Sequence, residues 1–349
     1  MACFHPLKGF QIGYHSSGKP EYKITGYDVN FIKKVGDRWI PCYDKLISDF
    51  GSRCISDSID IPCGHCIGCY LDRSKQWADR CMLEASYHEK NCFITLTYDD
   101  DHITKLRNSD YIDDDGVINK SPFYSLDKSD LQKFMKRLRE RLSPLKIRYF
   151  ACGEYGSKNY RPHFHVIIFG YDFSSDRTLY KTNFRGDRLY TSGLLSDCWT
   201  FGYAVVADCT WNTCAYVSRY CLKKRDNDLS VFYNTFDLDP EFVCMSRRPG
   251  IARQYFDDHF SDVYRYDRIT IGDQDGSRTF KPPKYFDKLY DIDYPSDMAR
   301  IKEHRQAYAR ANKEYILHET DLDYIDYLKV KEYNLTSKTK IFKERSIVL

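Results

Sequence analysis

Residues 161–170 read Arg161-Pro162-His163-Phe164-His165-Val166-Ile167-Ile168-Phe169-Gly170. The apolar run is short, rich in β-branched residues and bounded by proline and glycine, so it reads as a strand. Alternate side chains of a strand share a face. His163 and His165 therefore point one way, and Phe164 points the other way into a core. Two imidazoles side by side on a rigid strand supply half of a metal site. A His-X-His pair in a strand is also found in purely structural settings, so the neighbouring segments decide between the two readings.

Residues 147–155 read as a second strand and residues 156–162 as the turn between the two. A hard divalent ion at a phosphoryl site needs carboxylate oxygen besides nitrogen, and Glu154 is the candidate. Directly opposed residues of an antiparallel pair share a face. If either His163 or His165 pairs opposite Glu154, the three side chains converge. A slip of one residue sends Glu154 to the other face and leaves it a solvated hairpin glutamate.

Downstream lies Ala215-Tyr216-Val217-Ser218-Arg219-Tyr220-Cys221-Leu222-Lys223-Lys224. A helix over about 211–224 puts Tyr216 and Tyr220 one turn apart on a face shared with Lys223. Two phenols and an ammonium suit phosphodiester chemistry, with Arg219 and Lys224 at hand for phosphates. With 30 tyrosines in the chain, a packing stripe is the competing reading. Upstream, Asn91-Cys92-Phe93-Ile94-Thr95-Leu96-Thr97-Tyr98 is a strand by β-propensity.

In order and separation, these three segments resemble the motifs of the HUH endonuclease superfamily in its two-tyrosine form, which initiates rolling-circle replication. Flanking stretches extend the likeness: Cys3-Phe4-His5-Pro6-Leu7, Pro62-Cys63-Gly64-His65-Cys66-Ile67-Gly68-Cys69, Met245-Ser246-Arg247-Arg248-Pro249-Gly250-Ile251 and Pro283-Lys284-Tyr285-Phe286-Asp287-Lys288. Over most of residues 1–290 the chain is similar to the replication initiators of gokushovirus-type microviruses. The resemblance implies an α+β fold with a ferredoxin-like or RRM-like central antiparallel sheet. It also implies Mg²⁺ or Mn²⁺ at Glu154, His163 and His165, and Tyr216 and Tyr220 as nucleophiles assisted by Lys223. The implied substrate is single-stranded DNA at a phage origin, cut to leave a 5′-phosphotyrosine.

Cys63-X-X-Cys66-X-X-Cys69 resembles one half of a zinc site, and an iron–sulfur cluster is chemically possible too. No second Cys-X-X-Cys follows, so another ligand must come from elsewhere: Cys3, Cys54 or His5, with Cys3 favoured by the family-like start of the chain. Free thiols remain the alternative. Fourteen cysteines without a secretory signal argue for a reducing compartment, which fits a bacterial host cytoplasm. No apolar run is long enough to span a bilayer.

The chain has 349 residues, 42% hydrophobic, with a formal net charge of only +3. Overall charge therefore does not announce a nucleic-acid binder. Locally, residues 128–148 carry eight cations against two carboxylates, either a phosphate-tracking strip or a solvated helix face.

The organisation expected is an N-terminal extension with the cysteine site over 1–75, a nuclease core over 76–230 and a partly helical C-terminal extension over 231–349. Helices are expected at 71–88, from a capping box at Ser129 onward, and at 296–317. Residues 110–119 read as a surface loop and 329–345 as a charged, mobile segment. With no Walker-type Gly-Lys-Ser/Thr motif, the chain would depend on a host helicase and DNA polymerase. The rival functions are an HUH transposase or relaxase, and a non-catalytic zinc-dependent nucleic-acid-binding protein whose tyrosines stack bases.

Overall fold

The computed structural model describes residues 3–16, 18–44, 53–156, 159–183, 186–219, 227–273 and 276–345. The chain opens with strands β1 (Leu7–Tyr14), β2 (Pro20–Thr25), β3 (Phe31–Val35), β4 (Arg38–Cys42), β5 (Cys54–Ile55) and β6 (Ser58–Ile61). Helix α1 (Ile67–Ala85), strand β7 (Asn91–Tyr98), helix α2 (Asp100–Ile103), β8 (Asp110–Ile112) and β9 (Ile118–Lys120) follow. Next come α3 (Lys128–Arg141), β10 (Arg148–Tyr155), β11 (Pro162–Phe169), β12 (Thr178–Thr182), β13 (Arg188–Thr191), α4 (Gly193–Cys198), β14 (Gly202–Asp208) and α5 (Trp211–Arg219). The last third holds α6 (Asn227–Thr235), β15 (Phe242–Met245), α7 (Arg253–Tyr266), β16 (Ile269–Asp273), β17 (Gly276–Phe280), α8 (Lys284–Asp293), α9 (Pro295–His318) and α10 (Tyr324–Arg345). This is a mixed α+β chain with ten helices among the described residues.

By compactness the chain divides into two units, one drawn from Met1–Asp72 and Asp293–Ser346 and the other from Arg73–Ile292. The second is built on a seven-stranded sheet in the order β12-β13-β14-β7-β11-β10-β15, and its neighbouring strands run antiparallel. β15, from beyond residue 230, is an edge strand of this sheet.

Strand parity sorts the side chains of the sheet. Cys92, Ile94, Leu96 and Tyr98 of β7 and Phe164, Val166 and Ile168 of β11 lie in one core with Leu131, Phe134, Met135 and Leu138 of α3 and Leu195 of α4. Phe150 and Cys152 of β10 and Ile167 and Phe169 of β11 lie in another, with Ala78 and Cys81 of α1 and Cys214, Ala215 and Val217 of α5. The sheet is thus covered by helices on both faces, and its inner strands are apolar on both sides. Phe164 enters the core as its parity requires and is fully buried. Burying a side chain of that size contributes about 1.5–3 kcal/mol.

Gly202 pins β14 against β7. Its φ is +147°, and a Cβ there would stand 2.3 Å from the Asp99 nitrogen and 2.5 Å from the Thr97 oxygen. Only glycine permits this approach, and it sets Tyr203 opposite Thr97.

The first unit contains two three-stranded sheets, β2-β1-β6 and β4-β3-β5, around Phe10, Val29 and Ile32. Lys313 of α9 bonds Asp60 Oδ2 at 2.9 Å and the Tyr27 hydroxyl.

Three expectations are corrected. Residues 110–119 are not a plain loop: β8 and β9 pair as a hairpin, ordered by Asp113 Oδ1 accepting the amides of Asp115 and Val117. The cap of α3 is Asp127, not Ser129; Asp127 Oδ1 accepts the Ser129 amide at 2.7 Å, starting the helix earlier. Residues 329–345 are helical, within α10. Leu328 is buried with Phe4, Cys66 and Cys69 and anchors that helix. Among the described residues, no helix is long and apolar enough to cross a membrane.

Candidate active site

The register across the hairpin is the one that brings the site together. Glu154 pairs opposite His163, and Cys152 pairs opposite His165. On the other side, His163 faces Thr97 and His165 faces Thr95. Glu154, His163, His165, Thr95 and Thr97 consequently share the face that α5 packs against.

Glu154 Oε1 is the hub. His163 Nε2 lies 2.7 Å from it, His165 Nε2 2.8 Å, and the Tyr216 hydroxyl donates to it at 3.3 Å. One ligand atom from each of Glu154, His163 and His165 lies within 4.8 Å of the other two. Burial alone would raise the Glu154 carboxyl, but the two imidazoles hold it down at about 2. Burial also pulls His165 below its ordinary value. For His163 burial acts in the same direction, yet the contact with Glu154 outweighs it and the net shift is upward.

The outer nitrogens fix the rings. His163 Nδ1 lies 3.0 Å from the Arg161 carbonyl, which only accepts, so Nδ1 carries a proton. His163 Nε2 then faces a carboxylate oxygen, and this contact is favourable only if a second proton or a cation stands there. His165 Nδ1 meets Thr95 Oγ1 at 3.0 Å, and Phe93 stacks on the His165 ring at 5.3 Å. Hydrogen bonding of the outer nitrogen is the usual way a metal-ligating histidine is oriented. Among the described residues Glu154 Oε2 is buried with no hydrogen-bond partner. An orphaned carboxylate oxygen beside two oriented imidazoles fits a divalent cation better than a closed hydrogen-bond cluster.

Tyr216 stands edge-on to His165, ring centres 5.0 Å apart. The Arg219 guanidinium lies 5.8 Å from the centre of the Tyr216 ring and is otherwise exposed. The structure thus brings Glu154, His163, His165, Tyr216 and Arg219 together. Tyr220, Lys223 and Lys224 lie outside the described residues. Sequence reasoning gave no role to Thr95, Phe93 or the Arg161 carbonyl. Parity on β7 was the available signal, since Thr95 and Phe93 alternate onto the histidine face.

Cys3, Cys63, Cys66 and Cys69 converge in the same way, their sulfurs all within 4.8 Å of one another. Backbone amides point at them: Cys63 N lies 3.3 Å from Cys3 Sγ, Phe4 N 3.3 Å from Cys66 Sγ and Cys66 N 3.4 Å from Cys63 Sγ. Burial pushes the Cys3 thiol up to about 11; at Cys66 it acts likewise, but donated amide hydrogens bring the thiol down to about 7. Four thiols with amide support fit a tetrahedral thiophilic ion. Cys54 stands apart in β5, and His5 pairs with Glu332 at 2.7 Å.

The model of the ORF2 family of replication-associated proteins matches residues 91–225. The replication-associated protein ORF2 of Spiroplasma virus 4 is 32% identical over 348 residues, spanning 97% of this chain and 97% of that protein. The replication-associated protein VP4 of Bdellovibrio phage phiMH2K is 28% identical, over 68% of this chain and 70% of its own. The replication-associated protein ORF4 of Chlamydia phage 1 is 32% identical, over 66% of this chain and 54% of its own. No solved structure matches the chain.

Proposed function

The chain belongs to the replication-associated protein family of gokushovirus-type microviruses, and from that membership we propose that it initiates rolling-circle replication as a metal-dependent single-strand DNA endonuclease and strand transferase. The observation that carries this reading is the Tyr216 hydroxyl, 3.3 Å from the carboxylate that also receives His163 and His165. The antiparallel sheet with the histidine pair on an inner strand supports placing an HUH core within residues 76–230, between extensions over 1–75 and 231–349.

Glu154, His163 and His165 would hold Mg²⁺ or Mn²⁺, which when bound supplies Lewis-acid stabilisation of charge on a non-bridging phosphate oxygen. A phenol with a pKa near 10 is a poor nucleophile. Tyr216 donates its hydrogen to Glu154, so its oxygen is held beside the ligand residues, and a bound cation would stabilise the phenolate as its proton passes to solvent. Attack of that oxygen on phosphorus forms a tyrosyl 5′-phosphodiester and breaks the bond to the 3′ oxygen, which leaves as a hydroxyl after taking up a proton. The 3′-hydroxyl is a primer for a host polymerase working behind a host helicase. Arg219 is placed to hold a phosphate beside Tyr216, a role shared in this reading with Lys223 and Lys224. Tyr220 is the second nucleophile: it cuts the regenerated origin while Tyr216 still carries the first 5′ end, or the reverse. The bond energy stays in the phosphotyrosine, so rejoining needs no ATP.

Cys3, Cys63, Cys66 and Cys69 would hold a structural Zn²⁺ that staples the start of the chain to the first turn of α1. The protein acts in the bacterial host cell, in this reading in its cytoplasm. The test is incubation with Mn²⁺ and a labelled single-stranded oligonucleotide from the phage origin. A covalent protein–DNA adduct supports the reading, and a salt-sensitive complex without adduct means a binding module.

A further inference from the structure

Tyr203 opens β14 after Gly202, and 69% of its surface is exposed. A large aromatic on the face of a seven-stranded sheet is ordinarily covered by a helix. Along β14, residues of the same parity grow more buried away from it: Tyr203 is exposed, Val205 half-buried and Ala207 buried. Among the described residues the helical cover thus thins toward the Gly202 end, where Tyr203 stands exposed on the sheet.

The register says where that exposed end leads. Tyr203 pairs opposite Thr97, Thr97 opposite His163, and His163 opposite Glu154. Four residues on four neighbouring strands thus form one row across the sheet, all on the same face. In that row the residue between Tyr203 and the candidate ligands is Thr97, with a small side chain. Strands lie ~4.8 Å apart, so Tyr203 is about 10 Å along the sheet from His163, roughly three stacked nucleotides at ~3.4 Å each.

We propose that Tyr203 is a base-stacking platform that positions single-stranded DNA, holding a base within about three nucleotides of the scissile phosphate and guiding that phosphate onto Glu154, His163 and His165. This deepens the function proposed above and rests on it. A stacked aromatic accepts any base, so Tyr203 contributes affinity and register along the strand, not sequence selection. Bases in a duplex are already stacked and paired, so the platform acts on single strands. Tyr203 does not touch the reacting atoms and is a positioning residue.

The test uses the full-length protein, Tyr203→Ala, Tyr203→Phe and Tyr203→Trp, and origin oligonucleotides with 2-aminopurine at successive positions around the nick. Tyr203→Ala should weaken single-strand binding by about tenfold and abolish the fluorescence quenching at one or two adjacent positions. Tyr203→Phe and Tyr203→Trp should restore both, and duplex binding should not change in any variant. Wild-type affinity and quenching in Tyr203→Ala would overturn the proposal. So would a Tyr203→Phe variant as weak as Tyr203→Ala, because the hydroxyl would then be the working group. Binding and quenching are read without cleavage. If the wild-type protein forms no adduct, the proposed chemistry fails on its own while the fluorescence still decides the stacking.

Discussion

The hydroxyl of Tyr216 donates to Oε1 of Glu154 across 3.3 Å, joining a residue of helix α5 to the end of strand β10. That oxygen is also the one both histidines face. One carboxylate therefore links the proposed nucleophile to the proposed metal ligands.

Removing a ligand should separate catalysis from binding. His163→Ala, His165→Ala and Glu154→Gln should each lower Mn²⁺-dependent nicking by at least about 100-fold, a phosphoryl step stripped of its electrostatic stabiliser. Single-strand affinity should stay within a few-fold of wild type. Gel assays for cleavage and filter binding on the same preparations check this, and a double His163→Ala, His165→Ala protein that nicks normally contradicts it.

Thr95 should tune the site without touching the ion. Its hydroxyl meets His165 Nδ1, and loss of such a partner costs about 10–100-fold in metal affinity. Thr95→Ala should shift the Mn²⁺ dependence of nicking to higher concentration by that factor, with activity regained at saturating Mn²⁺. An unchanged titration curve would assign Thr95 to packing.

The four-cysteine cluster should hold about one zinc per chain. Elemental analysis of protein purified without chelators measures the content. Cys66→Ser should lose the zinc and lower the melting temperature. Neither zinc nor iron in the wild-type protein would leave these as ordinary thiols.

Glu84 should be a structural keystone with an acid signature. It is buried in α1, pairs with Arg148 of β10, and accepts the Ala252 amide at 2.6 Å. Burial would raise its carboxyl, but His88, Ala252 and Arg148 together hold it below the ordinary range. A depressed folded-state pKa gives stability that is complete above the unfolded value, about 4.3, and is lost as the pH falls through the folded value. Glu84→Gln should cost about 3 kcal/mol at neutral pH by leaving Arg148 unpaired. Denaturant melts of the two proteins should converge only once the pH falls below the ordinary carboxylate range and through the lowered Glu84 value, and parallel curves across the whole range would refute the assignment.

Much of the site was legible because strand parity is a strong constraint. A period of two fixed His163 and His165 on one face and Phe164 on the other before any register was known. Glu154 was not settled that way: a one-residue slip would have reversed it, and periodicity alone does not encode the register that sets Glu154 opposite His163. Tyr203 carries no signal by itself and matters through cross-strand neighbours distant in sequence, whereas parity on β7 places Thr95 on the histidine face once β7 is set beside β11. The start of α3 was misplaced because Ser129 and Asp127 are both good caps, and the choice rests on Asp130 being drawn inward to the Tyr98 hydroxyl at 3.0 Å. Helix α10 escapes a sequence reading because its surface is highly charged, and among its described residues the anchor is buried Leu328 with partly buried Tyr324, Ile325, Tyr327 and Leu335 beside the cysteines.

Mapping the residue that becomes covalently attached to DNA decides whether Tyr216 and Tyr220 are the nucleophiles. Wild-type protein, Mn²⁺ and a single-stranded origin oligonucleotide are incubated, digested and sequenced by mass spectrometry. A 5′-phosphodiester is expected on Tyr216 or Tyr220, retained partly in each single phenylalanine variant and absent from the Tyr216→Phe, Tyr220→Phe double variant. An adduct that persists in the double variant, or cleavage with no adduct at any residue, would contradict that assignment.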